Sequence, residues 1–235
     1  MEINWESQVL SSVSKVIPKL SCLEIDIDKL HEVAAELSED SFSINYEGNT
    51  NTVPKEYIRK TMLINTLNFV FTDFLTSVKY KIENYSDTDA MVYQIDKALD
   101  QGIPLTQGRF MRDMNLKEFK TLFTGNIVMP MADEKVKILN NVGDILVTKY
   151  GGDWINFIDD GPKKLYDNGK GLVERLIRDF KRFDDHSIFE NEKVYFLKLA
   201  QLAFWGIHRE LSKRYFYIED MENMTAFADY IIPVA

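Results

Sequence analysis

The sequence predicts an all-α fold, and three observations carry that prediction. Apolar residues recur at three- and four-residue spacings along most of the chain, the pattern of amphipathic helices. Alternation, the pattern of a strand, is confined to Val78-Lys79-Tyr80-Lys81-Ile82, which predicts one short β-hairpin. Between Asn191 and Leu211, residues such as Val194, Leu197, Ala200, Phe204, Trp205 and Ile207 cover nearly every face, and a helix apolar all round belongs at the centre of a fold. No repeat, low-complexity tract or long linker divides residues 1–235, so a single helical domain is expected.

The elements follow in order. Trp5 to Ile17 reads as a first helix, ended by Pro18. Asp26 to Leu37 is a second, with Leu30, Val33, Ala34 and Leu37 on one stripe and His31 at its flank. Tyr46 to Thr52 is a polar, turn-rich loop. Lys55 to Leu75 is predicted as a long helix or a broken pair, because Met62, Leu63, Leu67, Phe69, Phe71 and Phe74 leave little polar face. Ala90 to Leu99 forms the next helix, stopped by Gly102 and Pro104. Asn115 opens another, with Glu118 three residues on as in a capping box. Ala132 to Tyr150 is a long amphipathic helix closed by Gly151-Gly152. Lys163 to Phe180 is a helix interrupted at Gly169 and Gly171, and Asn191 to Leu211 is the central one.

Composition narrows the function. Hydrophobic residues at 45% and aromatics at 12% suffice for a packed interior. No apolar run reaches the length of a membrane span, and MEINWESQVL has neither a basic n-region nor an apolar h-region, so no membrane partner and a cytoplasmic location are expected. The single cysteine, Cys22, excludes an internal disulfide framework and a cysteine-cluster metal site. A net charge of −9 without a basic block argues against a polymeric nucleic-acid partner, whereas a small anion needs only a few placed cations. There is no HExxH, zinc spacing, GxGxxG, Walker-type loop or GxSxG, so neither metal nor cofactor is expected. The pairs Asp159-Asp160 and Asp184-Asp185 read as solvated turn residues.

A few residues stand out chemically. Asp229 sits among Phe227, Ala228, Tyr230, Ile231 and Ile232 with no cation within several residues. A carboxylate in such surroundings needs hydrogen bonds or a cationic partner to stay ionised. If that partner is a substrate developing positive charge, Asp229 is catalytic; the plain alternative is a turn whose backbone N–H groups it accepts from. Lys198 and Gln201, three apart, share one face of the central helix. Either they point together into a polar pocket, or Lys198 snorkels to solvent from the helix edge. His31 alone reads as structural, since His186 and His208 form no ligand spacing with it. Asn65 and Asn68 put two amides into an apolar stretch, which a ligand, a kink or a self-capped helix break would satisfy. Trp154 either covers the core or stacks on a heterocycle.

Taken in order, the His31 helix, Asn65-Thr66-Leu67-Asn68-Phe69, Ala98-Leu99-Asp100-Gln101-Gly102-Ile103-Pro104-Leu105-Thr106, Met129-Pro130 with Ile138-Leu139-Asn140, Lys149-Tyr150-Gly151-Gly152, Phe196-Leu197-Lys198-Leu199-Ala200-Gln201 and Thr225-Ala226-Phe227-Ala228-Asp229-Tyr230 span nearly the whole chain. This ordered set resembles the queuosine 5′-phosphate N-glycosylase family, also described as queuosine salvage proteins. The resemblance implies an all-α fold similar to base-excision DNA glycosylases and hydrolysis of the N-glycosidic bond of queuosine 5′-monophosphate, a small nucleotide, releasing queuine. It also implies that Asp229 is the catalytic carboxylate, that Phe227 contacts substrate, that His31 touches the base and that Lys198 faces the active site. Asn68, Phe69 and Tyr230 lie in the matching segments and join the expected substrate-binding set. Oxocarbenium character at the sugar suits a nearby carboxylate, and a flat deazapurine suits an aromatic such as Phe227.

Members of that family continue with a further helical segment carrying acidic and tyrosine contacts to the base, whereas this sequence stops at Pro233-Val234-Ala235. A shortened chain, or a compact relative with altered recognition, is therefore expected. Two rivals to the hydrolase remain: an inactive helical protein keeping a nucleotide-like pocket, and a nucleic-acid glycosylase suggested by fold analogy.

Overall fold

In the computed structural model, which describes residues 7–21, 26–36 and 51–228, local sequence chemistry explains several of the helix ends. Ten α-helices occur among the described residues: α1 Gln8–Val16, α2 Ile27–Glu36, α3 Pro54–Leu67, α4 Asp87–Asp100, α5 Gly108–Asp113, α6 Leu116–Leu122, α7 Ala132–Lys149, α8 Trp154–Asp159, α9 Leu172–Asp179 and α10 Lys198–Leu211. Pro18 lies in a 3-10 turn, Ile17–Lys19, that follows α1. Pro54 opens α3 at a position where its missing N–H is not needed. Asn115 and Glu118 form the expected capping box of α6. Asp153 caps α8 by accepting from the Ile155 N–H at 3.0 Å. Gly151 and Gly152, at φ +60° and +85°, release the chain from the end of α7.

Among the described residues two antiparallel hairpins accompany the helices, where one was predicted. The first pairs β1 Lys81–Ile82 with β2 Tyr85–Ser86, near the expected alternating segment. The second pairs β3 His186–Phe189 with β4 Glu192–Tyr195, so the start of the predicted central helix is instead a strand. Glu190 and Asn191 both have positive φ, 45° and 68°, which gives the two-residue turn whose twist matches its flanking strands. Ser12 on α1 then accepts from the Tyr195 N–H at 3.0 Å, holding β4 in place.

Two other predicted helices are shorter than expected, in both cases because side chains bond backbone groups. Residues 163–171 form turns because their backbone N–H groups find side-chain acceptors. The Leu165 and Tyr166 N–H groups donate to buried Asp220, at 2.6 and 3.1 Å, and those of Asp167, Gly169 and Gly171 donate to Glu174. Likewise α3 stops at Leu67 rather than running to Leu75. Asn65 and Thr66 bond back to the Thr61 and Met62 carbonyls, Asn68 leaves the helical region, and Val70 has a positive φ of 45°. Beyond it Thr72 bridges to Lys79, and Asp73 accepts from the N–H groups of Leu75 and Thr76. Phe74 and Leu75 at that tip are exposed, not packed as their apolar character suggested. The stripe predicted on α2 is exposed too, including Leu30 and Val33.

The centre of the core is aromatic. Trp154 is fully buried, tilted against Phe180 at 4.8 Å and edge-on to Phe157 and Phe183, so it belongs to the core. Helix α5 crosses α7 at Gly143, where an added Cβ would lie 2.2 Å from the Arg112 nitrogen and 2.6 Å from the Gly108 carbonyl oxygen. Helix α10 packs against α3 and α9, the central position its apolar surface called for, although Trp205 is 37% exposed. No described helix is long and apolar enough to cross a membrane.

Near its C-terminus, α10 is fastened by His208, whose Nδ1 accepts from the Ile218 N–H at 3.0 Å. That bond requires the neutral ring, and burial lowers the pKa from its ordinary 6.5. A base with a lowered native pKa stabilises the fold above its unfolded value; below 6.5 the unfolded chain takes up the proton first, and stability falls. His208→Asn offers a similar acceptor without the titration. Urea midpoints at about pH 7.5 and about pH 5.5 should therefore differ more in wild type than in His208→Asn. Equal differences would contradict this role.

Candidate functional site

The site is best built from the start of α10. Leu197, at φ 52°, turns the chain out of β4, so Lys198 stands at the first position of the helix and is half-buried, not enclosed in the middle of a longer one. Gln201, one turn on, is fully buried. Its Oε1 accepts from the Thr225 N–H at 2.9 Å, and its Nε2 donates to Thr225 Oγ1 at 2.9 Å and to the Phe196 carbonyl at 3.4 Å. Trp205, a further turn along, meets Phe227 edge-on at 6.1 Å between ring centroids. One face of α10 therefore receives residues 225 to 227. Asp229 and Tyr230, next in the chain, lie outside the described residues.

Asn68 and Phe69 belong to a second cluster, organised by two cations that sequence reasoning did not single out. Lys135 on α7 is fully buried, and its Nζ donates to the carbonyls of Phe69 at 2.6 Å, Pro130 at 2.8 Å and Val70 at 3.0 Å. The same ammonium lies 4.1 Å from the centre of the Phe69 ring. Burial, and secondarily Arg182, pull the Lys135 pKa down to about 7; the three carbonyls and the ring favour the charged form. Arg182 donates to the carbonyls of Thr66 at 2.7 Å and Asn68 at 3.4 Å, and its guanidinium lies 4.6 Å from the Phe69 ring centre. Burial brings its pKa down to about 10. Asn68 itself accepts from the Thr88 hydroxyl at 3.0 Å. Lys135 was legible in principle, because it interrupts the buried stripe Ala132, Val136, Leu139, Val142 and Leu146.

The two clusters are neighbours. The Asp185 carbonyl, just after the Arg182 turn, accepts from the N–H groups of Phe196 at 3.0 Å and Leu197 at 3.3 Å, immediately before Lys198. His31, in contrast, sits on the exposed helix α2. A separate concavity of about 740 Å³ is lined by Arg59, Asp100, Gln107, Arg109, Gly152 and Asp153, among others. It gathers the segments at 98–106 and 149–152, and Arg59 pairs with both oxygens of Asp153, at 2.9 and 2.6 Å. None of the predicted site residues that lie within the described ones lines it. Among the described residues, no group of three or more His, Cys, Asp or Glu side chains is arranged to hold a metal ion.

A family model described as "Queuosine salvage protein" matches residues 45–235. The chain belongs to that family. A relative from Mus musculus named "Queuosine 5'-phosphate N-glycosylase/hydrolase" is 29% identical over 180 residues, covering 73% of this chain and 52% of the relative. Proteins of the same name are 26% identical over 84% of this chain in Bos taurus and 23% identical over 96% of it in Sphaerobacter thermophilus, covering 59% and 70% of those relatives. The chain thus spans about half the length of the mouse and cattle proteins.

Lys135→Met keeps much of the stem but leaves three loop carbonyls without their donor. It should lower stability by about 2–4 kcal/mol, because an unsatisfied buried acceptor costs more than the bond contributes. Urea unfolding checks this, and a variant as stable as wild type would remove Lys135 from its organising role.

Proposed function

We propose that this chain hydrolyses the N-glycosidic bond of queuosine 5′-phosphate and releases queuine. Two things support the reading: the family's relatives carry that activity in their name, and the segment leading into Asp229 is fastened to α10 beside Lys198. The second of these carries the mechanism. As the bond between ribose C1′ and the base nitrogen breaks, positive charge builds on the sugar, and Asp229 stabilises it electrostatically or attacks C1′. Water supplies hydroxyl to C1′ and a proton to the departing base, which balances the reaction as queuine plus ribose 5-phosphate.

The other residues take supporting roles in this reading. Phe227 stacks on the deazapurine, Tyr230, Asn68 and Phe69 complete the pocket, and His31 touches the base from the exposed helix α2. Lys198 serves a phosphate or sugar oxygen, or keeps Asp229 ionised. Residues 1–235 form one cytoplasmic domain akin to base-excision DNA glycosylases, without metal or cofactor and with a nucleotide, not a nucleic-acid polymer, as substrate.

Incubation with queuosine 5′-phosphate followed by chromatography for free queuine tests the reaction; substrate binding without release would favour an inactive nucleotide-binding protein. Asp229→Asn keeps shape and removes charge, so turnover should fall by roughly a thousandfold or more while substrate still binds. A near-wild-type rate would dismiss Asp229. Lys198→Met should fold normally and yet lose at least about tenfold in kcat/KM. Unchanged kinetics would return Lys198 to a purely structural place.

A further inference from the structure

We infer that Gln201 is a positioning residue for the segment that carries Asp229. The inference rests on the proposed catalytic role of Asp229. Gln201 is fully buried in the central helix, where an amide is costly unless its donors and acceptor are all engaged. Its Oε1 takes the Thr225 N–H at 2.9 Å, and its Nε2 reaches Thr225 Oγ1 at 2.9 Å and the Phe196 carbonyl at 3.4 Å. A single bond would leave Thr225 free to swivel; bonds from both ends of one amide fix its place and its roll.

That grip matters because of where it falls. Residues 224–228 lie outside any helix or strand, so no backbone ladder orders them. Met224 donates its N–H to the Met221 carbonyl at 3.1 Å and packs on the core, and the contacts that tie the rest to α10 are the amide at Thr225 and the edge-on meeting of Phe227 with Trp205 at 6.1 Å. Both come from one face of α10, because Gln201 and Trp205 are four residues apart. Asp229 follows Phe227 by two residues, a reach of at most roughly 7 Å. Thr225 lies four residues before that carboxylate, and displacement of a reacting group by about 1 Å lowers rates about a hundredfold. The segment Phe196-Leu197-Lys198-Leu199-Ala200-Gln201 thus joins the site twice, with Lys198 at the start of α10 and Gln201 one turn on, holding the stretch that leads to Asp229.

The test uses Gln201→Leu, Thr225→Val and Thr225→Ser in the full chain, each also combined with Asp229→Asn. Gln201→Leu should cut kcat for queuine release from queuosine 5′-phosphate by at least about tenfold, per folded molecule as judged by urea unfolding. Thr225→Ser should keep most of the activity that Thr225→Val loses. On the Asp229→Asn background Gln201→Leu should cost little more, because its effect runs through that carboxylate. Amide exchange at Thr225 should quicken by about a hundredfold in Gln201→Leu while α10 stays protected. Equal losses on both backgrounds, or a loss that only tracks unfolding, would make Gln201 a satisfied core amide and overturn the inference. Unchanged exchange at Thr225 would overturn the grip itself. A wild-type chain that releases no queuine would sink the functional reading, and with it any catalytic meaning of Gln201, whatever the exchange shows.

Discussion

The ammonium of Lys135 is the point on which the arrangement around the site depends. It gathers carbonyls from the exit of α3 and from the stretch leading into α7, two segments with no regular backbone pairing between them. Arg182 extends the same device to Thr66 and Asn68. From there the Asp185 carbonyl reaches the backbone just ahead of α10, so the end of α3 and the start of α10 are set relative to each other through a chain of carbonyl contacts. The placement of Lys198 and Gln201 thus rests on these carbonyl contacts together with the direct packing of α10 on α3.

Arg175 shows that this is a habit of the fold. It donates to the carbonyls of Phe157 and Lys170 and is likewise lowered in pKa by burial. Two buried cations, Lys135 and Arg175, and the half-buried Arg182 thus serve main-chain oxygens in loops and near helix ends. In a chain of net charge −9 these internal positive charges stabilise loops, alongside the buried acid Asp220, which does the same for backbone N–H groups. Carbonyls can accept from a cation without adding the full desolvation of an ion pair, which makes them economical partners in the interior.

Legibility from sequence followed the range of the interactions involved. The limits of α6 and α7 were readable because their signals are local: Asn115 with Glu118, and Gly151-Gly152. Residues 163–171 were misread because Asp220, 55 positions away from Leu165, answers the backbone N–H groups there. The β3–β4 hairpin was missed since Val194 to Leu197 reads as a buried helix or a buried strand alike, and Glu190-Asn191 is not the common Asn-Gly turn. Within the site, Lys198, Gln201 and Phe227 stood out as residues, but the bonds joining Gln201 to Thr225 span 24 positions and leave no trace in spacing. Asn65 and Asn68 were legible as a helix break, which is what they form.

The exposure of Trp205 has a practical side. Of the three tryptophans, Trp154 is sealed in the aromatic core, and Trp205 stands half in solvent against Phe227. Their emission should separate accordingly, with the core indole at shorter wavelength and Trp205 at longer wavelength. With Trp5, which lies outside the described residues, replaced by phenylalanine, the longer-wavelength component reports optically on the C-terminal segment, and a ligand settling on Phe227 would register there without any attached label.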